Sequence, residues 1–332
     1  MPEPLRVGLI GAGGMGALHA ANLVRHAPGV ALTVITDADP ARSIDLARRL
    51  GAIACLDAEQ LISSVDAVVI ASPDETHAPL VLAAIAAGKP VFCEKPLAVT
   101  VAEATAIVEA ELAAERRLVT VGFMRRYDRH HLDLHALVAS GALGWVGLVR
   151  GWHRSVAGDY EMTAAQVMRS ALVHDFDSLP WIAGSPPVEI AVSAASTSEI
   201  ASSPDLFAVE MRLASGAIVF AEFHSRSAGG YDVGVEVTGA GGTATTGPGP
   251  APFVRRGGVA GQATDADWLA HFAGAYVAEV QAWAAVSRKG EQCGPNAWDG
   301  LAALVVAEAA LEALERGSRV HIEAPPRPAL YA

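Results

Sequence analysis

Residues 5–26, LRVGLIGAGGMGALHAANLVRH, set three glycines between an apolar run and a helical pattern. Gly11, Gly13 and Gly16 keep a G-x-G-x-x-G spacing, which carries weight only when it joins a strand to a helix, as here. Each glycine has its own physical task in such a turn. The first permits a tight reversal, the second lets backbone approach a pyrophosphate, and the third lets helix and strand pack closely. Gly14 and Met15 complete the loop, where N–H groups at a helix start attract phosphate oxygens. A second strand-like run, ALTVITD, ends on Asp37. An acid about 20 residues beyond the loop accepts hydrogen bonds from ribose hydroxyls and repels a 2′-phosphate. The expected coenzyme is therefore NAD rather than NADP, although Arg42 nearby leans the other way. A plain glycine turn beside a solvated aspartate is the competing reading, and it leaves the register of strand, helix and acid unexplained.

The same rhythm continues through the first third of the chain. AVVIAS (67–72), PVFCEK (90–95) and LVTVGF (118–123) are short apolar runs, and helical patterns separate them. Strands that alternate with helices and lack polar alternation imply a parallel sheet covered on both faces. Ligands of such sheets bind beyond the carboxyl ends of the strands. Two strand ends stand out there. SPDETH supplies Ser72, Pro73 and His77, and EKP supplies Glu94, Lys95 and Pro96. Charges at the end of a buried strand cost desolvation unless something uses them, and the proline stops further ladder pairing. Lys95 is accordingly expected at the nicotinamide end of the coenzyme; the plainer alternative is a surface lysine.

After about residue 122 the pattern changes. A helical stretch near 164–183 precedes EIAVSAASTS, LFAVEMRLASG, AIVFAEFHSR and YDVGVEVTGAGGTATT, which have few helices between them and so pair antiparallel. Residues 246–262 read as a loop, and helices near 267–288 and 296–316 close the chain. The expectation is an α/β protein. A doubly wound parallel-sheet domain covers 1–121, and an α+β domain with an open, mostly antiparallel sheet covers 122–332.

Composition removes several function classes. A net charge of −12 argues against nucleic acid and anionic membrane as partners. Although 52% of the chain is apolar, no uninterrupted run reaches the roughly 18 residues of a membrane span. The start is too rich in glycine, and Glu3 too acidic, for a secretory signal. Cys55, Cys93 and Cys293 have neither disulfide nor metal spacing, so a reducing cytoplasm and no metal are expected.

GAGGMG, SPDETHAP, CEKPLA and VGFMRRYD together resemble the glucose–fructose oxidoreductase, inositol dehydrogenase and rhizopine catabolism (Gfo/Idh/MocA) family of NAD(P)-dependent sugar and polyol dehydrogenases. The similarity runs over nearly the whole chain. GFMRRYD, WHR, DWLAHFAGAYVAEVQAW and AWDGLAALVVAEAALEAL look most like its myo-inositol 2-dehydrogenase branch. The resemblance implies an N-terminal Rossmann domain and places Lys95 in the catalytic site. It also implies a second-domain helix with D-x-x-x-H, matched here by SALVHDFDSLPW. His174 is the histidine, and Ser170 stands where the family carries aspartate.

Those residues suit alcohol oxidation. His174 can take the hydroxyl proton near neutral pH. Lys95 can stabilise the developing alkoxide, and its charge favours a neutral imidazole. On a regular helix Ser170 and His174 share a face, with Asp177 on the same side to orient the ring and Asp175 pointing elsewhere. Serine holds no negative charge, so either the substrate differs from inositol, or another acid, Asp159 or Asp177, replaces the missing one, or catalysis is weak. Pro180 is expected to kink or end this helix. Packing alone is the plainer reading of His174. By resemblance, Arg125 or Arg126, His153, Tyr231 and Trp268 contact substrate; an ion pair for the arginines and core packing for the aromatics stay open. The whole points to a cytoplasmic, homo-oligomeric (tetrameric or dimeric) dehydrogenase of a secondary hydroxyl in a cyclic polyol or pyranose sugar. Two other classes remain. One is a glycoside-processing enzyme that holds NAD tightly and oxidises sugar only transiently, and the other is a non-catalytic NAD- or sugar-binding regulator.

Overall fold

The computed structural model describes residues 3–156, 161–197, 203–246, 253–256, 259–289 and 291–332. Packing divides the chain into two compact units. The first comprises Met1–Tyr127, Gly274–Leu304 and Pro325–Ala332, and the second comprises Asp128–Ala273 and Val305–Ala324. The units are therefore interleaved in sequence, where the sequence reading expects one cut between 121 and 122.

The first unit is built on a six-stranded parallel sheet. Its strands are β1 (Leu5–Ile10), β2 (Val30–Thr36), β3 (Ile53–Ala54), β4 (Ala67–Ile70), β5 (Val91–Glu94) and β6 (Val119–Gly122). They lie in the order β3-β2-β1-β4-β5-β6, so the direction of winding reverses between β1 and β4. Ligands of open α/β sheets bind at such a reversal, outside the strand ends. The helices Gly14–His26, Pro40–Leu50, Ala58–Ser64, His77–Ala86 and Val101–Ala113 make the crossovers. β4, β5 and β6 are buried at every residue, as unbroken apolar runs require. Helix ends follow local chemistry. Asp39 accepts from Ala41 N–H before Pro40–Leu50, and Gly51 ends that helix at φ 73°. Thr100 and Glu103 form a reciprocal cap on Val101–Ala113.

Late segments of the chain complete this unit. The helix Ala273–Ser287 puts Val280, Trp283 and Ala284 into one core with Leu5, Val7, Leu9 and Phe92. The Trp283 ring meets Phe92 edge-on at 6.0 Å, and burying a side chain of that size contributes on the order of 3 kcal/mol. Tyr331 donates to Glu111 Oε2 at 2.7 Å, while Glu111 Oε1 accepts from the N–H groups of Leu118 and Val119.

The second unit has a seven-stranded sheet built from β7 (Val146–Arg154), β8 (Pro187–Ala195), β9 (Leu206–Leu213), β10 (Ile218–His224), β11 (Asp232–Gly239) and β12 (Gly242–Thr245). A separate hairpin joins β13 (Phe253–Arg256) to β14 (Val259–Gln262), and β15 (Val320–His321) returns to the sheet. The order is β12-β11-β7-β10-β9-β8-β15, antiparallel throughout except for β7 against β10. The hairpin corrects the expectation of a loop over 246–262: Phe253–Arg256 and Val259–Gln262 pair despite their glycine-rich setting.

The helical stretch 164–183 is three pieces. A short turn, Ala164–Gln166, leads into a π turn, Val167–Ala171, and then the helix Val173–Ala183. That helix runs through Pro180 and stops at Gly184, φ 67°, so of the two outcomes expected at Pro180, a kink or an end, the end is not what occurs. A proline so near the last turn removes one donor only, and Ser185 N–H closes the end on Pro180 O. The helix packs on β7 and β10. Among the described residues no helix is long and apolar enough to cross a membrane.

Candidate active site

In the first unit the glycine loop sorts into two pairs. Gly11 leaves β1 at φ 98°, and a Cβ there would stand 2.4 Å from Ala71 O. A Cβ on Gly16 would stand 1.9 Å from Gly11 O. Those two glycines are demanded by packing. A Cβ on Gly13 or Gly14 would meet nothing within 4 Å, so the middle of the loop, with Met15 beside it, borders open space. Gly13 caps the helix without a side chain, which leaves first-turn N–H groups for an anion.

Asp37 is tied to that loop. Ala12 N–H donates to its Oδ2 at 2.6 Å and Asp39 N–H to its Oδ1 at 2.8 Å. Each oxygen keeps a further lone pair, so the carboxylate is fixed in place and still able to accept. Arg42 lies 3.5 Å from Asp39 in an exposed pair. Room at Gly13 and Gly14 together with a fixed acceptor fits the pyrophosphate and adenine-side ribose of a dinucleotide.

Past β4, Ser72 Oγ and Thr76 Oγ1 are 2.6 Å apart, and Thr76 Oγ1 donates to Pro73 O at 2.7 Å. His77 is buried between two loops. Its Nδ1 lies 2.7 Å from Pro96 O and its Nε2 2.9 Å from Ser72 O. Carbonyls only accept, so the ring donates from both nitrogens and carries a charge. Burial pulls its pKa down, but Cys93 and the two carbonyls outweigh that and push it up to about 10. The imidazolium thus staples the backbone after β4 to the backbone after β5.

Glu94 is buried as well. His19 Nε2 donates to its Oε1 at 2.6 Å, and Lys95 N–H donates to its Oε2 at 3.2 Å. Burial pushes the carboxyl up, yet His19, Lys95 and His77 outweigh it and hold it below the usual carboxylate range. Glu94 and His77 therefore brace the loops, and Lys95 is carried half-buried at the end of β5. Arg125 is buried, and Arg126 lies 3.3 Å from Asp299 in a mostly buried ion pair.

In the second unit His174 is the second residue of the helix Val173–Ala183 and is buried, while Ser170 sits within the π turn before it. The wider turn breaks the regular i, i+4 spacing from which a shared face is expected. His153, on β7, donates from Nδ1 to Asp175 Oδ2 at 3.0 Å, both residues buried. The His153 ring also meets Phe223 at 4.9 Å and Tyr231 at 6.1 Å. Tyr231 is buried, whereas Trp268 is 38% exposed at the start of the helix Trp268–His271. The structure thus gathers His153, Asp175 and Tyr231, and His174 adjoins Asp175 in sequence. Asp177 is buried on the same helix, and Asp159 lies outside the described residues. Sequence reasoning misses His19, Asp175 as the partner of His153, and Glu279, which stands with His19 and Glu94. No local signal announces any of these, because each partner comes from a distant part of the chain.

Two family models match the chain. One, described as an oxidoreductase family NAD-binding Rossmann fold, covers residues 5–123, and the other, an oxidoreductase family C-terminal alpha/beta domain, covers 158–322. The chain is 43% identical over 334 residues to an inositol 2-dehydrogenase of Rubrobacter xylanophilus, covering 99% of this chain and 96% of the relative. It is 40% identical to inositol 2-dehydrogenase 1 of Saccharopolyspora erythraea, covering 98% and 99%. Its structure is similar to a myo-inositol dehydrogenase from Lactobacillus casei solved with NAD(H) and myo-inositol, with a TM-score of 0.95, 28% identity and coverage of 99% and 100%. A myo-inositol dehydrogenase from Corynebacterium glutamicum gives a TM-score of 0.87 at 28% identity, covering 97% and 100%.

Proposed function

The chain belongs to the Gfo/Idh/MocA oxidoreductase family and carries its NAD-binding Rossmann domain, and we propose that it oxidises a secondary hydroxyl of a cyclic polyol, myo-inositol or a near relative, to a ketone. One observation carries this reading: full-length relatives named inositol 2-dehydrogenase, at up to 43% identity, match a chain whose glycine loop and Asp37 suit a dinucleotide.

Bound NAD would supply a hydride acceptor at its nicotinamide ring. The remaining work falls to this chain. The backbone at Gly13 and Gly14 holds the pyrophosphate, and Asp37 accepts from the ribose hydroxyls and disfavours NADP. The loops carrying Ser72, Pro73 and Lys95 line the coenzyme, held by His77 and Glu94. Lys95 donates to the reacting oxygen and stabilises its negative charge. His174 takes the hydroxyl proton, which a neutral imidazole can do near neutral pH. Ser170 hydrogen-bonds the substrate without adding charge. Arg125 or Arg126, His153, Tyr231 and Trp268 contact the other hydroxyls. The proposal extends to a cytoplasmic homo-oligomer, dimer or tetramer, joined through the open face of the seven-stranded sheet, where Phe220 is 44% exposed. Free cysteines at 55, 93 and 293 suit that compartment.

The test is a panel of inositols, aldoses and glycosides with NAD, scored by NADH absorbance. The proposal expects NADH from an inositol above all others. Coenzyme retained through purification with no net NADH would favour transient sugar oxidation instead. Binding without any turnover would favour a regulator.

A further inference from the structure

The end of β5 holds two carboxyl groups, and the mechanism uses neither as an acid or base. Glu279, on the helix Ala273–Ser287, is 0% exposed, and among the described residues neither of its carboxyl oxygens has a hydrogen-bond partner. One side-chain polar atom from each of His19, Glu94 and Glu279 lies within 4.8 Å of the others. Aromatic rings surround them: His19 lies 5.0 Å from Phe92 and 6.2 Å from Tyr276, and Phe92 lies 6.0 Å from Trp283. Two anions cannot both persist in so dry a place, and the better-supplied one keeps its charge.

The donors identify that one. Glu94 accepts from His19 Nε2 and Lys95 N–H, and it faces the charges of Lys95 and His77. The charged group felt by Glu279 is Glu94, a like charge. Burial and that repulsion raise the Glu279 carboxyl well above the usual range. A metal bridging the three side chains fits less well. Ligands about 2.1 Å from a tetrahedral zinc stand roughly 3.4 Å apart, whereas His19 Nε2 and Glu94 Oε1 are 2.6 Å apart, a hydrogen-bond distance.

We propose that Glu279 is a permanently protonated carboxylic acid that donates its O–H to Glu94 and, through Glu94, fixes the strand end carrying Lys95. Glu279 is thus a positioning residue, and that role rests on the reading of Lys95 above; the placement of the proton does not. The groups around Glu94 are then His19 from the first crossover helix, Lys95 from its own strand end, His77 from the helix after β4, and Glu279. Three donors meet one carboxylate, and a donor on an anionic acceptor makes a strong hydrogen bond.

Two variants separate the possibilities. Glu279→Gln keeps shape and a donor, and Glu279→Met keeps bulk and loses the donor. Infrared difference spectra of wild type against Glu279→Gln, at neutral and mildly alkaline pH, should show a protonated-carboxyl C=O band that shifts in D2O and vanishes in the variant. Loss of an ionised-carboxylate band instead, or stoichiometric divalent metal in the purified wild type, overturns the proposal. Amide hydrogen exchange over residues 92–98 should quicken in Glu279→Met and stay unchanged in Glu279→Gln. Equal exchange in all three proteins overturns the positioning role, with no reference to turnover. If the dehydrogenase reading holds, Glu279→Met should lower kcat about ten- to hundredfold, as loss of a supporting hydrogen bond does. The Gln variant should stay within about twofold of wild type, since it retains a donor at the same place. A protein without polyol turnover fails the functional reading alone, because the infrared and exchange results still decide this one.

Discussion

The two sheets of this molecule handle charge in opposite ways. In the first, β4 is apolar and buried along its whole length, and β5 is apolar until its last residue, so charge gathers where strands stop, at Asp37, Glu94 and Lys95. In the second, β9 and β10 alternate buried and accessible residues, and charge runs along the open face. Arg154 meets Glu222 at 2.7 Å and Asp232 at 3.1 Å, Arg150 pairs with Glu236, and Arg319 reaches Glu210 at 2.5 Å. Charges on that accessible face are solvated and cost little. A carboxylate as buried as Glu94 needs several donors to stay ionised. The difference teaches where to look for chemistry: charge that is expensive to keep marks the site, and charge that is cheap marks a surface.

The comparison can be broken at five points, and the largest effect belongs to Lys95. Lys95→Ala should lower polyol turnover about 10²- to 10³-fold, the usual cost of losing one oxyanion donor, with NAD affinity by calorimetry little changed. Retained turnover would remove the lysine from the mechanism. Next is Gly16→Ala, whose Cβ has a backbone oxygen at 1.9 Å; overpacking of that kind costs about 3 kcal/mol, read from the urea midpoint. Gly13→Ala, with nothing within 4 Å, should leave that midpoint alone and weaken NAD binding. Equal midpoints in the two variants would contradict the division of the loop into packing and binding glycines.

His77 gives a pH-dependent case. Its folded-state pKa, about 10, stands above the unfolded value of about 6.5. Its contribution is therefore fully present below about pH 6.5 and is lost as pH rises through about 10. The loss of one charge-assisted hydrogen bond is on the order of 2 kcal/mol. Denaturant midpoints should fall over that interval in wild type and stay flatter in His77→Gln; parallel curves would refute the imidazolium. Asp37→Ser should shift the NADP-to-NAD ratio of kcat/KM by about tenfold toward NADP, and a sharper NAD preference would go against the ribose assignment. The smallest effect belongs to the second sheet. Arg154→Ala, at a side chain 39% exposed, should cost at most about 1 kcal/mol by chemical denaturation, and a larger loss would blur the contrast between the sheets.

What the sequence makes legible follows the same division. β4 and β5 can be read directly, because a strand buried on both faces is an apolar run closed by a polar or charged end, and β1 and β6 stand out as short, mostly apolar runs despite Arg6 and Thr120. β3 cannot, since Ile53 and Ala54 are two residues held by their pairing with β2. β7 hides because Gly147, Gly151 and two arginines dilute its pattern. Pairing with β10 and β11 on either side makes it a strand, and a Cβ on Gly151 would press on the Leu179 side chain at 2.8 Å. The π turn at Ser170 leaves no mark a helical periodicity would show. In the candidate site the glycine loop and Asp37 are legible because their spacing is local. The dressing of Glu94 by His19 and Glu279, and of His153 by Asp175, arises only when distant segments pack together.

The central claim is that this chain moves a hydride from a polyol carbinol to NAD, with His174 taking the proton. Its most direct test is myo-inositol deuterated at the reacting carbon, mixed with NAD and followed by mass analysis of the coenzyme. The account predicts deuterium in the NADH made by wild type and none with His174→Asn. Undeuterated coenzyme from wild type, or the same label transfer by the variant, would contradict it.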